Sequence, residues 1–316
     1  MAAAAVRSFG VLLVLSPNLC IDRVVVVPDF TPGRVHRARA VHILASGKGM
    51  NVARTARALG VEATVVGVVG DDAAGRWFVT DARRQGMAVR TVRGRGTTRT
   101  CTLIVAPGQG ETVVNEPGPQ ADARTADLLR RRVHRLLGQA SVLVLTGSLP
   151  PGLPATCYGD VIAEAAARPT VLDASGAALQ QGVAASPTVL KVNREELAAL
   201  AGRDLTAIGD VVAAAREVPV REGVVVTMGG EGAVLVRAGG AWMARPPAVR
   251  RESAVGAGDS LAAGLAAALL AGQPLVDALR LGVAVAAADV ATLLPGTVER
   301  DEVDRLLPLV AVEPLA

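Results

Sequence analysis

Residues 252–272 read ESAVGAGDSLAAGLAAALLAG, a glycine-rich turn followed directly by a long run of alanine and leucine. The leucines recur at helical spacing, and Gly272 and Pro274 are the residue types that typically end a helix. The pattern therefore predicts a buried helix that runs from Ser260 to the glycine. Asp259 is the only charged residue after Glu252 in this stretch, and it stands where the helix is expected to begin.

This stretch alone leaves two interpretations of Asp259 open. An acidic residue in the first turn of a helix is favoured by the helix dipole, but that does not explain Gly256, Ala257 and Gly258 before it. Glycines at a helix N-terminus allow backbone N–H groups to converge on an anion such as a phosphate. A carboxylate beside an anion site would repel the ligand unless it had a chemical task, such as accepting a proton from an attacking hydroxyl.

The composition indicates a compact globular protein and argues against several functions. The chain has 316 residues, of which 51% are hydrophobic and 20% charged, enough for one large domain or two small ones. Its net charge of +4 is spread along the chain, and aromatic residues make up only 2%, too few to stack on bases. We therefore expect no nucleic-acid partner.

The cysteines and histidines favour a reducing compartment and no zinc cluster. The three cysteines are widely separated and form no CxxC pair, and the chain has only three histidines. Arg7 followed by an apolar run resembles a short signal-peptide core, with Cys20 as a lipidation site, but a buried strand that ends at Ser16 is the favoured interpretation. No uninterrupted apolar run reaches the ~18 residues of a membrane span. We expect a cytoplasmic protein with no membrane partner.

Strand-like apolar runs alternate with helical patterns along most of the chain. The predicted strands are 11–16, 63–70, 141–146, 170–173, 188–192 and 223–229. The predicted helices are 51–60, 73–86, 122–137, 154–167, 194–201 and 206–217, followed by three C-terminal helical segments. Alternation with continuously hydrophobic strands predicts an α/β fold with a buried, mostly parallel sheet.

Two segments interrupt this alternation. Residues 23–45 and 97–116 contain strands and turns without an intervening helix. They predict a small antiparallel sheet inserted into the parallel domain. Such an insertion is suited to a lid or to a contact between subunits.

The only two lysines of the chain, against 31 arginines, fall in two of its unusual motifs. Lys48 lies in SGKGMNVARTARALG (46–60), where small residues open a helix. This is not a Walker A loop, because Gly49 stands where Ser or Thr should follow the lysine. A flexible turn would explain the motif, but we favour a site where backbone N–H groups, Lys48 and Asn51 meet a polyhydroxylated or phosphorylated ligand.

The other lysine, Lys191, lies in LKVNREEL (190–197). Asn193 and Glu196 are three residues apart, so they either form a helix capping box or hold waters around Mg²⁺ while the lysine meets a nucleotide phosphate. Two further motifs are VVVTMGGEGAVLV (224–236), which a hairpin turn explains, and LTGSLPPGLP (145–154). The latter follows a strand at its C-terminal end, where open α/β sheets bind ligands.

Together these motifs resemble the ribokinase-like carbohydrate kinases of the phosphofructokinase-B group, nearly from end to end. Residues 46–53 match the family's GGKGxNVA-like loop, and residues 255–259 match its (T)GAGD signature. Several further segments resemble the branch of 1-phosphofructokinases and tagatose-6-phosphate kinases; they are PNLCIDR, PGRVH, Thr98 with Arg99, and NEPGP (115–119).

The resemblance implies one ribokinase-like kinase domain over residues 1–316. Its sheet would be doubly wound and flanked by helices, and segments 23–45 and 97–116 would form a β lid through which two subunits pair. The implied reaction is transfer of the γ-phosphoryl group of ATP, with Mg²⁺, to a hydroxyl of fructose 1-phosphate, fructose 6-phosphate or tagatose 6-phosphate. Asp259 would be the base, and Gly256, Ala257 and Gly258 the anion hole.

The resemblance also implies which residues bind the two substrates. The sugar phosphate would be bound by Asp22, Gly47, Lys48, Asn51, Arg99 and Ser148. The nucleotide would be bound by Lys191, Asn193, Glu196, Thr227, Gly229 and Gly232, with Glu196 holding Mg²⁺ through water.

This sequence departs from the family pattern at Ser46, Val255 and Cys101, which replace a glycine, a common threonine and an asparagine. The resemblance would place Cys101 near the sugar, so the identity of the sugar stays open. Alternatives are a kinase of the same fold for an unphosphorylated sugar or nucleoside, a dinucleotide oxidoreductase, and a sugar-binding regulator without activity. Leu261 stands where the third glycine of a GxGxxG motif belongs, which argues against the oxidoreductase.

Overall fold

A ten-stranded sheet runs through the part of the chain that this computed structural model describes, residues 10–315. Along the chain the strands are β1 (Val11–Asn18), β2 (Cys20–Val26), β3 (Ala40–Ser46), β4 (Ala63–Gly70), β5 (Ala88–Gly94), β6 (Arg99–Ala106), β7 (Gly110–Asn115), β8 (Ala140–Thr146), β9 (Thr170–Asp173), β10 (Val189–Asn193), β11 (Gly223–Thr227), β12 (Ala233–Arg237), β13 (Gly240–Arg245) and β14 (Ala311–Leu315). The α-helices are α1 (Lys48–Ala58), α2 (Ala73–Arg84), α3 (Ala123–Leu137), α4 (Cys157–Glu164), α5 (Gly176–Ala184), α6 (Arg194–Ala201), α7 (Ile208–Arg216), α8 (Ala257–Leu270), α9 (Leu275–Val290) and α10 (Arg300–Leu306).

The order of strands in the large sheet is β14-β13-β12-β11-β10-β9-β8-β1-β4-β5. All neighbours from β11 to β5 are parallel, and β11 to β14 are antiparallel. The predicted mostly parallel sheet is therefore confirmed. Its carboxyl-terminal edge, where the parallel strands end together, is the position at which polar residues of several motifs meet.

Helices cover both faces of this sheet, which explains the continuous hydrophobic runs in its strands. In β1, Leu12 and Val14 face one core together with α1, α8 and α9, whereas Leu13 and Leu15 face a second core together with α3, α4 and α5. All four leucine and valine side chains are at most 2% exposed. The alternation places β1 at the centre of the molecule, which confirms the prediction of a buried strand there.

Helices α8 and α9 pack closely because small residues face each other along their contact. A Cβ atom built on Gly264 would lie 2.7 Å from the Cα atom of Gly282, too close for any side chain. The helix predicted from Ser260 begins three residues earlier, at Ala257, because the turn of Gly256 at φ +100° already directs the chain into it. Gly272, at φ +68°, follows the end of α8 as predicted.

A separate four-stranded sheet, in the order β3-β2-β6-β7, is formed by the two inserted segments. Its two hairpin pairs, β2–β3 and β6–β7, are antiparallel and meet through the parallel pair β2–β6. One face contains the buried side chains of Cys20, Val24, Leu44, Cys101, Leu103 and Val105, against which Val255, Leu293 and Leu294 pack. Hydrophobic side chains exposed on this sheet are Val41, Ile43, Val113 and Val114.

Several elements differ from the sequence-based prediction. Strands β5, β13 and β14 and helix α5 were not predicted, since their segments are short and mix charged or small residues with a few apolar ones. Helix α4 spans Cys157–Glu164 and not 154–167, because Pro154 and the turn after it delay its first hydrogen bond. Among the described residues no helix is long and apolar enough to span a bilayer. Arg7, part of the signal-peptide alternative, lies outside the described residues.

Candidate active site

Asp259 and Asn51 are in direct contact at the carboxyl-terminal edge of the large sheet. The side-chain nitrogen Nδ2 of Asn51 donates a hydrogen bond of 2.9 Å to Oδ2 of Asp259. Asp259 is only 6% exposed, and burial raises the pKa of its carboxyl to about 6 against the opposing attraction of Lys48. A buried carboxylate with such a pKa is suited to accept a proton near neutral pH.

The backbone before Asp259 needs glycine at Gly256 and is closely approached by a lysine at Gly258. Gly256 has a φ of +100°, and a Cβ atom on it would lie 2.7 Å from Pro295 and 2.9 Å from Oδ2 of Asp289. A Cβ atom on Gly258 would lie 3.0 Å from Nζ of Lys191. The N-terminus of α8 therefore presents backbone N–H groups beside a lysine ammonium group, an arrangement that attracts anions.

The two lysines of the chain share one buried carboxylate, that of Asp173 at the end of β9. Nζ of Lys191 lies 3.1 Å and Nζ of Lys48 lies 3.4 Å from its Oδ1 atom. Burial alone would raise the pKa of Asp173, but the two ammonium groups hold it below its ordinary value. Asp173 in turn raises the pKa of Lys48, so this lysine is held charged beside the cavity.

The turn that carries Lys48 is fixed by its contact with β1. Gly47 has a φ of +108° and precedes the first residue of α1. The backbone N–H of Gly49 donates to Oγ of Ser16 at 3.2 Å, and a Cβ atom on Gly49 would lie 2.3 Å from Cβ of Ser16. This close approach explains why glycine occupies the position at which a Walker A loop has Ser or Thr.

A cavity of about 530 Å³ lies next to Lys48 and is bordered by Arg99 and Ser148. Nε of Arg99 donates to the carbonyl oxygen of Asn18 at 3.1 Å. Nδ2 of Asn18 donates to Oγ of Ser148 at 3.1 Å and to the carbonyl oxygen of Pro117 at 3.0 Å. Lys48, Arg99 and Ser148, all predicted to bind the sugar phosphate, thus border one cavity. Asn18 connects Arg99 to Ser148 through its hydrogen bonds.

Asp22 lies in β2, 4% exposed, with its carboxylate accepting from Sγ of Cys20 at 3.2 Å. Burial raises the pKa of Asp22, while Arg54 and Arg99 oppose that shift. Cys101 is its partner in the parallel register with β6, and burial raises the pKa of the Cys101 thiol to about 12. Cys101 is therefore a neutral neighbour of Asp22.

Asn193 and Glu196 form a capping box at the start of α6. Oδ1 of Asn193 accepts from the Glu196 amide at 2.8 Å, and Oε2 of Glu196 accepts from the Asn193 amide at 2.9 Å. Oε1 of Glu196 accepts no hydrogen bond from residues 10–315, which leaves it free for a water molecule. No group of three or more His, Cys, Asp or Glu side chains in these residues could hold a metal ion directly.

The glycine-rich hairpin lies beside this capping box. Thr227 is paired with Asn193 in the register of β10 and β11. Gly229, at φ +60°, and Gly232, at φ +111°, turn the chain from β11 to β12, and a Cβ atom on Gly232 would lie 2.0 Å from the carbonyl oxygen of Ala244. The hairpin geometry therefore explains both glycines by itself.

Asp173 and Asn18 belong to this site, and neither was predicted from the sequence as a site residue. Each ends a strand of the parallel part of the sheet, Asp173 in β9 and Asn18 in β1. A polar residue at the end of a buried apolar strand was the signal that could have identified them.

Asp289 is another buried carboxyl close to the anion site. Oδ1 accepts from the Gly296 amide at 2.7 Å, while Oδ2 has no hydrogen-bond partner among the described residues. Burial raises the pKa of Asp289 to about 7, and the Gly296 hydrogen bond opposes that shift.

Known proteins resemble this chain over most of its length. A model of the pfkB family carbohydrate kinases matches residues 13–299. A 1-phosphofructokinase of Rhodobacter capsulatus is 38% identical over 276 residues, which cover 85% of this chain and 87% of that protein. The phosphofructokinase-2 of Escherichia coli, solved in complex with substrates and products, superposes with a TM-score of 0.85 at 29% identity over 94% of this chain and 98% of that chain. A ribokinase of Thermotoga maritima superposes with a TM-score of 0.75 at 23% identity over 95% and 100% of the two chains, which shows the shared, ribokinase-like fold.

Proposed function

This chain belongs to the pfkB family of carbohydrate kinases, and from that premise we propose that it phosphorylates a phosphorylated ketohexose with MgATP. Fructose 1-phosphate is the first candidate, because the relative from Rhodobacter capsulatus is named as a 1-phosphofructokinase. Fructose 6-phosphate and tagatose 6-phosphate are the other candidates. The observation that carries the proposal is the buried Asp259 carboxylate, held by Asn51 and attracted by Lys48, together with a cavity that Lys48 and Arg99 border.

In this proposal Asp259 accepts the proton of the acceptor hydroxyl as its oxygen attacks the γ-phosphorus of ATP. The bond from that phosphorus to the β,γ-bridging oxygen breaks, and ADP leaves with those electrons. Backbone N–H groups of Gly256, Ala257 and Gly258 stabilise the negative charge on the transferring group. The hydrogen bond from Asn51 holds the carboxylate in place while the sugar hydroxyl approaches it.

The phosphate already on the sugar would lie in the cavity beside Arg99, Lys48 and Ser148. A guanidinium can hold a phosphate through two parallel hydrogen bonds, and the Arg99 Nε bond to Asn18 orients it for that contact. Asp22, with Gly47 behind it, would bind sugar hydroxyls.

The nucleotide would bind along the ends of β10 and β11. Lys191, whose ammonium group lies beside Gly258, would meet the phosphates, and Asn193, Thr227, Gly229 and Gly232 would border the rest of the nucleotide. Glu196 would hold Mg²⁺ through a water molecule on its free Oε1 atom. The ion neutralises charge on the β- and γ-phosphates when it is bound.

The experiment is a coupled assay of ADP release with MgATP and a panel of sugars. The panel contains fructose 1-phosphate, fructose 6-phosphate, tagatose 6-phosphate and free fructose, with a nucleoside as a further acceptor. A kcat/KM at least about tenfold higher for one phosphorylated ketohexose than for free fructose would support the proposal. Equal or better use of the free sugar or nucleoside would favour the alternative, a kinase of the same fold for an unphosphorylated acceptor.

The other two alternatives have less support. The chain between Arg245 and Ala257 forms no strand, so the glycine turn does not have the strand-turn-helix context of a dinucleotide site. A regulator without activity would not need Asp259 and Lys191 together at the anion site. Direct measurement of NAD binding and of ADP release tests these two alternatives.

We extend the proposal to a cytoplasmic homodimer formed through the four-stranded sheet. Val41 and Ile43 on β3 and Val113 and Val114 on β7, the two outer strands of this sheet, are between 41% and 57% exposed, so both edges present apolar side chains to a second subunit. Free cysteines among the described residues fit a reducing compartment. Light scattering of the protein and of a Val114→Lys variant tests the dimer, which the lysine should dissociate.

A further inference from the structure

Glu111 connects the four-stranded sheet to the loop that leads into the anion site. It lies in β7, a strand whose other residues are mostly exposed, yet its own side chain is only 8% exposed. Oε1 accepts a hydrogen bond of 2.7 Å from the backbone N–H of Ala254. Oε2 accepts one of 2.9 Å from the guanidinium of Arg251.

The charge of Glu111 is stabilised in this position. Partial burial would raise its pKa, but the Ala254 amide and the Arg251 guanidinium outweigh that effect and lower it. A carboxylate that accepts one backbone and one guanidinium hydrogen bond is held more strongly than a surface ion pair. The contact joins residues 143 positions apart in the sequence.

The residue after Ala254 provides a second, apolar connection between the same two parts. Val255 packs against the buried face of the four-stranded sheet, which includes Leu103 and Val105. Gly256, where α8 begins, follows Val255 directly. Two consecutive residues before the anion site are therefore bound to the sheet, one by a charged hydrogen bond and one by packing.

We propose that Glu111 is a positioning residue that sets the geometry of the anion site through the Ala254 amide. The sheet that contains Asp22 and Arg99 thereby controls the backbone N–H groups that stabilise the transferring phosphoryl group. The inference rests on the proposed kinase function. It assigns Glu111 a part in the rate of transfer and none in binding either substrate.

The test compares Glu111→Ala, Glu111→Gln and Glu252→Ala. Glutamine retains an oxygen that can accept from Ala254, whereas alanine removes it. Glu252 is the matched control, because it lies in the same loop and its side chain, among the described residues, makes only an exposed ion pair with Arg250. Loss of a charged hydrogen bond corresponds to about a ten- to hundredfold effect, so Glu111→Ala should lower kcat by about tenfold or more with little change in either KM. Glu111→Gln should recover part of that loss, and Glu252→Ala should behave as wild type.

Hydrogen exchange at the amide of Ala254 provides a readout that does not depend on activity. Glu111→Ala should accelerate this exchange while amides in the centre of the large sheet stay protected. A wild-type kcat in Glu111→Ala would overturn the inference. So would a general defect, in which kcat falls, both KM values rise and thermal stability is lost together. If the unmodified protein phosphorylates no acceptor in the panel, the proposed function itself fails. In that case an unchanged exchange rate at the Ala254 amide in Glu111→Ala would still overturn the claim that Glu111 holds this amide in place.

Discussion

Asn51, in the first helix, donates a 2.9 Å hydrogen bond to Asp259, in the first turn of α8, across 208 residues of sequence. The bond joins the N-termini of two helices that approach the same cleft from different parts of the chain. It also determines which Asp259 oxygen is occupied by the protein and which is available to a substrate hydroxyl. Several predictions of the proposed mechanism depend on this pair.

Asp259→Asn should lower kcat by ~10²–10⁴-fold, because asparagine cannot accept the proton of the acceptor hydroxyl. The KM for MgATP should change little, since the nucleotide contacts lie elsewhere. Asp277→Asn is the matched control, because Asp277 is an exposed first-turn acid of α9 and shares only the interaction with a helix dipole. A near wild-type kcat in Asp259→Asn would indicate that Asp259 only stabilises the start of the helix.

The pH profile of kcat/KM should report the ionisation of Asp259 in the enzyme without substrates. Its pKa of about 6 means that the base is deprotonated above that pH, so kcat/KM should fall as the pH drops below about 6. The Asn51 hydrogen bond stabilises the charged form and lowers this pKa. Asn51→Ala should therefore move the acidic limb of the profile to higher pH. An acidic limb at the same pH in both proteins would contradict the assignment.

Arg99→Ala should reduce kcat/KM for the phosphorylated sugar by roughly ten- to a hundredfold, the effect of losing hydrogen bonds of ~1.5–3 kcal/mol to a charged group. Use of the matching unphosphorylated sugar, poor from the start, should hardly change. Arg90→Ala, at an exposed position of β5, is the control for loss of a positive charge. An equal loss of kcat/KM for both sugars would indicate collapse of the four-stranded sheet. An unchanged kcat/KM for both would indicate that Arg99 is only a surface charge.

Glu196→Gln should raise the Mg²⁺ concentration needed for half-maximal rate, or the KM for MgATP, several-fold. The glutamine oxygen can still accept the hydrogen bond from the Asn193 amide, so the capping box is retained while the charge facing the cation is lost. The measurement is a Mg²⁺ titration at fixed ATP. Glu195→Gln, at the exposed neighbouring position, should match wild type. A change confined to the sugar KM would show that the two halves of the site are assigned wrongly.

Asp289→Asn should raise the free energy of unfolding at pH 8 by an amount on the order of a few kcal/mol and alter it little near pH 4. The pKa of Asp289 in the folded protein is about 7, above its ordinary value, so the folded state binds the proton more tightly than the unfolded state. Stability therefore falls as the pH rises from about 4 through about 7, and a neutral asparagine avoids this loss. Denaturant unfolding at both pH values, with Asp301→Asn as an exposed control, measures it. A stabilisation that is the same at both pH values would be inconsistent with titration of Asp289.

The sequence was most informative where a residue pattern repeats over a whole element. Helix α6 lies where periodicity and Asn193 predicted it, and the inserted sheet was predicted because two segments lacked any helical pattern. Strand β5 was missed because Arg90 and Arg93 interrupt its few apolar residues at the edge of the sheet.

The site was harder to predict than the fold, because its contacts join distant segments. The glycine turns and the two lysines could be identified from local patterns and from the family resemblance. No local pattern shows that Asp173 holds both lysines, since its partners lie 125 and 18 residues away. For the same reason, the contact from Glu111 to Ala254 is evident only once the four-stranded sheet is packed against the loop before α8.

The close contact of Gly264 with Gly282 fixes more than the packing of two helices. Gly264 lies in the second turn of the helix whose first turn carries Asp259, so a methyl group there would push that helix away from α9 and displace the carboxylate with it. A substitution far from any ligand could thus leave a folded protein with a misaligned base. Distance from the cleft is therefore a poor guide to which positions of this chain tolerate substitution. An inactive variant selected from a random library can carry its substitution in the contact between α8 and α9.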